Sequence, residues 1–472
     1  MNFSKKLFLM FMLAFVFSSI TDINSAAADS RGNSIFIILK NTNSTNTIKE
    51  AVHQEFKNVK IEQIPEIGTI NLKMNNDLNT KKIIDFIKEK FPNDIEDYGT
   101  NTYVTPVSEN TNNTRIHKTQ EHMSLSSNAL STQEQFYQNF TWHISNVTNN
   151  YKSYDIQKGN KNILIGLIDS GVDITHPDLQ RSIDVTKGKS FVTGDPTLED
   201  KLGHGTQVAG IIAAQGNIKG IAPNTTIIPY KVFGTGDGES DWVVKAIIQA
   251  VKDDNDIINL SLGTFKSINN KSDKATIKLY KKAIQYAQKN GVLVIASAGN
   301  DSIDLSHPQK IEENGNTTSK IQIPASFTSP IIVSSTEKSG KFARYSNYGQ
   351  TIDFSAPTGY FGKKFDTEQE LDIQEMILVT HPVTLNNTEL DQAVGIPKGY
   401  SLSLGTSLAA PQVSATAALI ISRYKEIHHK KPSIQQINYF LQRGAKDLGP
   451  KGKDIYFGYG QINTYQSLVH IR

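Results

Sequence analysis

Three residues stand out for the chemistry they could do together: Asp169, His204 and Ser407. A serine hydroxyl is a weak nucleophile that needs a base beside it, an imidazole is a base near neutral pH, and a carboxylate can orient that imidazole. Ser407 lies in Gly405-Thr406-Ser407-Leu408-Ala409-Ala410-Pro411, ahead of Val413, Ala415, Ala417, Ala418, Leu419, Ile420 and Ile421, with no charge before Arg423. That run reads as a helix buried on most sides. Unpaired N–H groups and the positive dipole end at its start would favour an oxyanion. Alone, Ser407 reads equally well as an N-cap. Asp169 ends the apolar run Ile163 to Ile168 just before a turn at Gly171, as when a buried strand delivers a side chain to the C-terminal edge of a sheet. Alone, it could be a turn residue or a metal ligand. His204 sits between Gly203 and Gly205 and opens a second small-residue helix, Thr206–Ala214. A lone histidine is more often structural, but packing does not explain three such residues, each at an element end, in this order.

With Gly405–Pro411, Ile165–Asp173 and Gly203–Ala214, the chain resembles the subtilisin family (subtilases) of serine peptidases over roughly residues 135–470. Asp, His, Ser is the chain order known for subtilisin. Leu408 stands where the family usually has methionine, and Gln207 where it often has a second histidine; neither position carries the chemistry. The resemblance implies that His204 takes the Ser407 proton and returns it to the leaving amine, while Asp169 orients the imidazole. It maps the oxyanion donor onto Asn300, in Ser297-Ala298-Gly299-Asn300, with the Ser407 N–H as partner. Asn300 also reads as a turn residue after a strand.

A peptide substrate is expected to bind as an added strand. The implied edges are Ser261-Leu262-Gly263 and Phe233–Gly238, with Ala296–Gly299, including Ala298 and Gly299, along the first pocket. Asp301 follows the oxyanion residue, and Asp200, Asp237, Glu239 and Asp241 lie on neighbouring loops. These carboxylates read either as a preference for a basic residue beside the cut bond or as a solvated rim. Pro324-Ala325-Ser326, Tyr345-Ser346-Asn347-Tyr348-Gly349 and Phe354-Ser355-Ala356-Pro357 continue the resemblance. Between Asp301 and Pro324, and between Thr358 and Tyr400, the chain is longer than a compact subtilase needs, and such loops often set access. No cofactor is expected for the chemistry. His176-Pro177-Asp178 resembles a calcium-binding segment, with Asp178 and Glu134 as oxygen donors for a structural ion, although the loop Gln215–Ile218 looks shortened and Asp178 could equally be a turn residue.

The elements that must hold these residues alternate. Strand candidates Asn162–Ile168, Thr226–Val232, Asp256–Leu260 and Val292–Ala296 are separated by helix candidates Thr206–Ala214, Asp241–Lys252 and Lys274–Lys289. This predicts an α/β fold with a mostly parallel sheet and helices on both faces, in which sites gather at the C-terminal strand ends. The resemblance makes it a subtilisin-like three-layer fold over residues 133–472. Residues 29–106 read as a small α+β domain of the split βαβ (ferredoxin-like) type. Its strands are Ser34–Leu39, Val59–Ile64, Thr69–Lys73 and Tyr103–Pro106, and its helices lie near Thr47–Phe56 and at Thr80–Lys90. The domain could be an independent binding module; by resemblance it is a propeptide that assists folding and inhibits the peptidase. Residues 107–132, rich in Asn, Thr and Ser, read as a flexible linker that holds the maturation cut.

Residues 1–28 read as a secretory signal: Lys5 and Lys6, the apolar stretch Leu7 to Phe17, then Ser25-Ala26-Ala27-Ala28. The expectation is a secreted, extracellular product with no membrane segment after cleavage. A net charge of +3 gives no ground for a nucleic-acid partner, and the absence of cysteine excludes disulfides and thiolate chemistry. The leading expectation is a secreted serine endopeptidase, made as a preproenzyme, that removes a leader peptide from a lantibiotic precursor after a basic residue. The alternatives are a broad-specificity degradative subtilase and, more remotely, a catalytically silent subtilase-like binding protein.

Overall fold

In the computed structural model, which describes residues 34–74, 80–106, 133–313, 316–368 and 370–472, the chain divides into two units. They are residues 1–102 with 271–276, and residues 103–270 with 277–472. The expected signal segment and linker lie outside the described residues.

The first unit has four strands, β1 (Ser34–Leu39), β2 (Val59–Ile64), β3 (Thr69–Met74) and β4 (Ile95–Thr100), in the order β2-β3-β1-β4, with every neighbouring pair antiparallel. Helices Thr45–Glu55 and Thr80–Lys90 bury Ile48, Val52, Ile83 and Ile87 against Ile35, Ile37, Ile70 and Leu72. The spacing of those helix residues, four apart in each pair, gives each helix a single apolar stripe. The fourth strand is Ile95–Thr100, which the sequence reading did not identify. The expected one, β5 (Tyr103–Pro106), belongs to the second unit. Ile95–Thr100 carries two acids and a glycine, so its period-two signal is weak.

The second unit is built on a seven-stranded parallel sheet. Its strands are β6 (Leu164–Asp169), β7 (Lys189–Ser190), β8 (Thr226–Lys231), β10 (Ile257–Leu260), β12 (Leu293–Ser297), β15 (Ile331–Thr336) and β16 (Ile352–Pro357), in the order β16-β15-β12-β10-β6-β8-β7. All residues of β10 and β12 are buried, and side chains alternate between faces along a strand, so both faces of the sheet are covered. Helices His204–Ala213 and Ala410–His428 pack on each other and on the sheet, and helix Ser240–Lys252 packs on β6 and β8. Gly210 lets β17 (Ile377–Thr380) come close, since a Cβ there would lie 2.1 Å from Thr380 Oγ1.

A second sheet runs β13 (Gln309–Glu313), β14 (Asn316–Ile323), β11 (Leu262–Ser267), β5, β9 (Gly238–Glu239), and β17 pairs with β18 (Tyr400–Ser403). The long segment after Asp301 thus holds the hairpin β13–β14, and the one after Thr358 holds β17. Among the described residues no helix is long and apolar enough to cross a membrane.

Candidate active site

Asp169, Ser261 and the turn Ala298-Gly299-Asn300 stand at or just past the C-terminal ends of β6, β10 and β12, which are neighbours in the middle of the parallel sheet. Parallel strands ending side by side bring together residues that are 131 positions apart in the chain, from Asp169 to Asn300.

Asp169 is fully buried. Its Oδ1 accepts from the Ser170 N–H (2.7 Å) and faces His204 Nδ1 at 2.8 Å, which makes Nδ1 the donor and leaves Nε2 as the basic nitrogen. Asp169 Oδ2 is buried and meets no hydrogen-bond donor among the described residues.

His204 is the first residue of its helix, and Asp200 anchors that helix end. Asp200 Oδ1 accepts from Leu202 N–H (3.1 Å), Gly203 N–H (2.7 Å) and the Ser170 hydroxyl (2.8 Å). Its Oδ2 accepts from Thr206 N–H (2.8 Å) and the Thr206 hydroxyl (2.7 Å). Ser170 Oγ in turn accepts from Gly205 N–H at 2.9 Å. The N-terminal N–H groups, which a helix cannot satisfy itself, are therefore tied to the strand end that carries Asp169. Sequence reasoning placed Asp200 in an acidic rim, but it is 1% exposed. An acid four residues before His204, at a helix start, was the available signal.

Ser407 is buried in the 3-10 turn Thr406–Leu408, just before helix Ala410–His428. Ser261 Oγ donates to the Ser407 carbonyl (2.7 Å), Asn259 Nδ2 donates to Ser261 Oγ (2.9 Å), and the Ser414 hydroxyl donates to Asn259 Oδ1 (2.8 Å). The turn is thus fastened to β10 below it. Asn300 Oδ1 accepts from Thr406 N–H (2.9 Å) and the Thr406 hydroxyl (2.8 Å), which turns the Asn300 amide nitrogen the other way. Gly405 has φ +126°, and a Cβ there would lie 3.0 Å from Asn300 Nδ2 and 3.5 Å from Ser407 Oγ. The donor and the hydroxyl therefore face one point, and glycine keeps that point open. The Ser407 turn also touches the His204 helix.

The expected binding edges carry a strand of the chain itself. β5 lies between β11 and β9, pairing Pro106 with Leu262, Thr105 with Gly263, Val104 with Gly238 and Tyr103 with Glu239. Val104 is fully buried, and the Tyr103 carbonyl accepts from Thr264 Oγ1 (2.9 Å) and Lys266 Nζ (3.2 Å). Its Pro106 end lies against Leu262, next in sequence to the Ser261 that holds Ser407.

Ala298 and Gly299, expected along the first pocket, are held in place by Asn347. Asn347 Nδ2 donates to the Ala298 carbonyl (2.9 Å), and the Asn347 N–H donates to the Gly299 carbonyl (2.9 Å). Asp301 is exposed and accepts from Gln322 Nε2 (3.0 Å) and Asn347 Nδ2 (3.3 Å). Gln322 and Asn347 were not foreseen as site residues. A Cβ on Gly299 would lie 2.4 Å from Gln322 Oε1, and one on Gly263 would lie 3.5 Å from Gln322 Nε2, so this side chain lies between Gly263 and Gly299. Of the five carboxylates read as a possible rim, Asp241 is also buried and pairs with Lys245 at 2.7 Å; Asp301 and Asp237 are exposed.

Asp178 fits a turn residue rather than a calcium ligand. Its Oδ1 accepts from Asn217 N–H (3.0 Å), and its Oδ2 accepts from Ile218 N–H (3.0 Å) and the Tyr400 hydroxyl (2.9 Å). A cation would have to displace these donors. Among the described residues no three His, Cys, Asp or Glu side chains are grouped to hold a metal, and the Glu134 side chain lies outside the described residues.

A sequence model of the subtilase family matches residues 160–460. The chain is 32% identical over 352 residues to the epidermin leader peptide-processing serine protease EpiP of Staphylococcus epidermidis, covering 69% of this chain and 73% of that protein. It is similar in structure to EpiP from Staphylococcus aureus, with a TM-score of 0.70 and 27% identity over 93% of this chain and 98% of that one. It is also similar to a crystal structure of a lanthipeptide protease, with a TM-score of 0.65 and 41% identity over 71% and 96%.

Proposed function

This chain belongs to the subtilase family of serine peptidases, and we propose that it is a processing endopeptidase that cuts a leader peptide from a lanthipeptide (lantibiotic) precursor. Ser407 attacks the peptide carbonyl, His204 Nε2 takes the serine proton and delivers it to the leaving amine, and Asp169 stabilises the imidazolium. Asn300 Nδ2 and the Ser407 N–H donate to the oxyanion. Each step uses groups of this chain alone, and no cofactor enters the chemistry.

The observation that carries the reading is the lie of β5 between β9 and β11, with Thr105 opposite Gly263 and Pro106 opposite Leu262. An extended peptide in that register has its main chain paired on both sides and runs toward the residues that hold Ser407. In this reading residues 29–106 are a propeptide whose last strand holds the cleft until a cut within 107–132 releases it, after export directed by residues 1–28. Substrate takes the place of β5, and a basic residue beside the cut bond meets the Asp301 carboxylate.

The restriction to leader peptides, rather than general degradation, is supported by the named relatives, which are leader-peptide or lanthipeptide proteases. The test offers the purified protease a modified lanthipeptide precursor and casein side by side. Cleavage of the precursor at one bond, with casein left whole, is expected; fragmentation of casein at comparable rate would favour the degradative reading.

A further inference from the structure

We propose that Tyr345 is a positioning residue for the Ser407 turn, held in place by the segment that follows Thr358; this rests on Ser407 being the nucleophile. Around that turn, most peptide groups have a named partner. Thr406 N–H meets Asn300, the Ser407 carbonyl meets Ser261, and Leu408 N–H donates to the Gly405 carbonyl at 3.0 Å. The Gly405 N–H donates to Tyr345 Oη at 3.2 Å.

Tyr345 can accept because its own proton is committed elsewhere. Its hydroxyl lies 2.7 Å from Thr358 Oγ1 and 3.2 Å from the Gly359 carbonyl, and the buried Thr358 hydroxyl donates to Ser335 Oγ at 2.9 Å. With the threonine proton given to Ser335, Thr358 Oγ1 is left to accept from Tyr345. A directed chain therefore runs from Gly405 N–H through Tyr345 and Thr358 to β15, and each link fixes the orientation of the one before it.

The ring is clamped as well. Tyr345 stacks on Tyr360 with centroids 6.1 Å apart and planes 11° apart; the Tyr360 hydroxyl donates to Asp366 at 2.6 Å, and Arg344 bridges Asp366 at 2.8 Å. Burial, with the Asp366 carboxylate, pushes the Tyr360 hydroxyl's pKa up, so it stays a donor. Part of the long segment between Thr358 and Tyr400 is thus a brace for the peptide that precedes Thr406 and Ser407. Gly405 needs such a brace because its φ of +126° and ψ of 155° lie where glycine rotates freely. A shift of that peptide moves Ser407 Oγ relative to Asn300.

The test starts from the full-length chain, lets it cut itself, and uses uncut Ser407→Ala as the unreactive control. Diisopropyl fluorophosphate reads nucleophile reactivity alone: the Ser407 oxygen bonds to phosphorus, fluoride leaves, and the serine proton goes to the base. Tyr345→Phe removes only the hydroxyl. It is expected to lower the inactivation rate and kcat by the same factor, about tenfold, the size of one lost hydrogen bond, with KM changed by less than about twofold. Its melting temperature should stay within a few degrees of wild type. Thr358→Val, which breaks the next link, should give a smaller loss of the same kind, and it carries the test if Tyr345→Phe fails to accumulate. Unchanged inactivation rates in both variants would overturn the proposal while leaving the nucleophile standing. So would a loss that tracks melting temperature and appears in KM. A wild-type protein that does not react with the reagent would overturn both readings.

Discussion

Asp169 Oδ1 and His204 Nδ1 are 2.8 Å apart in a pocket where the carboxylate is fully buried, and Asp200 fixes the helix end from which His204 projects. The pair sets the histidine tautomer without any contact from substrate. Asp169→Asn should keep the fold but present an amide that stabilises the wrong tautomer. A drop in kcat of about 10⁴-fold is expected, as for the equivalent change in other serine proteases, with the melting temperature nearly unchanged. Steady-state kinetics beside a thermal melt checks this.

Asn300 does two jobs with two atoms: Oδ1 holds Thr406, and Nδ2 faces the point shared with Ser407 Oγ. Asn300→Asp keeps the acceptor and removes the donor. It should lower kcat by at least about 10²-fold, in line with removal of an oxyanion donor in subtilisin, and leave KM within about threefold. Equal losses in kcat and in binding would assign Asn300 to substrate positioning instead.

The Asp178 carboxylate is held by hydrogen bonds, one of them from Tyr400 on β18. Burial, together with the Asp178 charge, pushes the Tyr400 phenol's pKa up and keeps it a donor. Tyr400→Phe should cost about 1–3 kcal/mol of stability, because a buried carboxylate loses one of three donors. Chelator should leave the wild-type melting temperature where it is; a marked fall with EDTA, reversed by calcium, would show an ion in this protein after all.

His143, in helix Trp142–Thr148, is buried with neither ring nitrogen hydrogen-bonded among the described residues, and desolvation lowers its pKa from 6.5 to about 3. The unfolded chain binds a proton below pH 6.5 that the folded chain refuses until about pH 3, so between those values the unfolded state holds more protons. Stability from this group should therefore fall by about 1.4 kcal/mol for each unit that pH drops in that window. Urea titrations from pH 7 to 4 check it, and His143→Leu should flatten the acid limb.

Much of the candidate site was legible because its residues sit in short, glycine-marked stretches: Asp169 at a strand end, His204 between glycines, Ser407 before a small-residue helix. The central strands were legible too, since β6, β10 and β12 are near-continuous apolar runs, the mark of strands covered on both faces. What escaped depends on long-range pairing. Gln322 and Asn347 reach Ala298 and Gly299 only once β14 pairs with β11 and the chain after β15 folds back. Asp200 reads as a surface acid because its place before the His204 helix marks a cap but not burial, and two of its five donors, the Ser170 hydroxyl and the folded Thr206 hydroxyl, meet it only in the fold. β5 has the composition of a strand, but nothing in its four residues says which sheet it joins.

The central claim is that Ser407 cuts peptide bonds in a cleft that the chain's own β5 holds first. The most direct measurement follows the size of the full-length protein over time, wild type against Ser407→Ala, with new N-termini mapped by mass spectrometry. Wild type should cut itself within residues 107–132 while Ser407→Ala stays whole. Identical cleavage of both, or a wild type that stays whole and hydrolyses no peptide, would contradict the account.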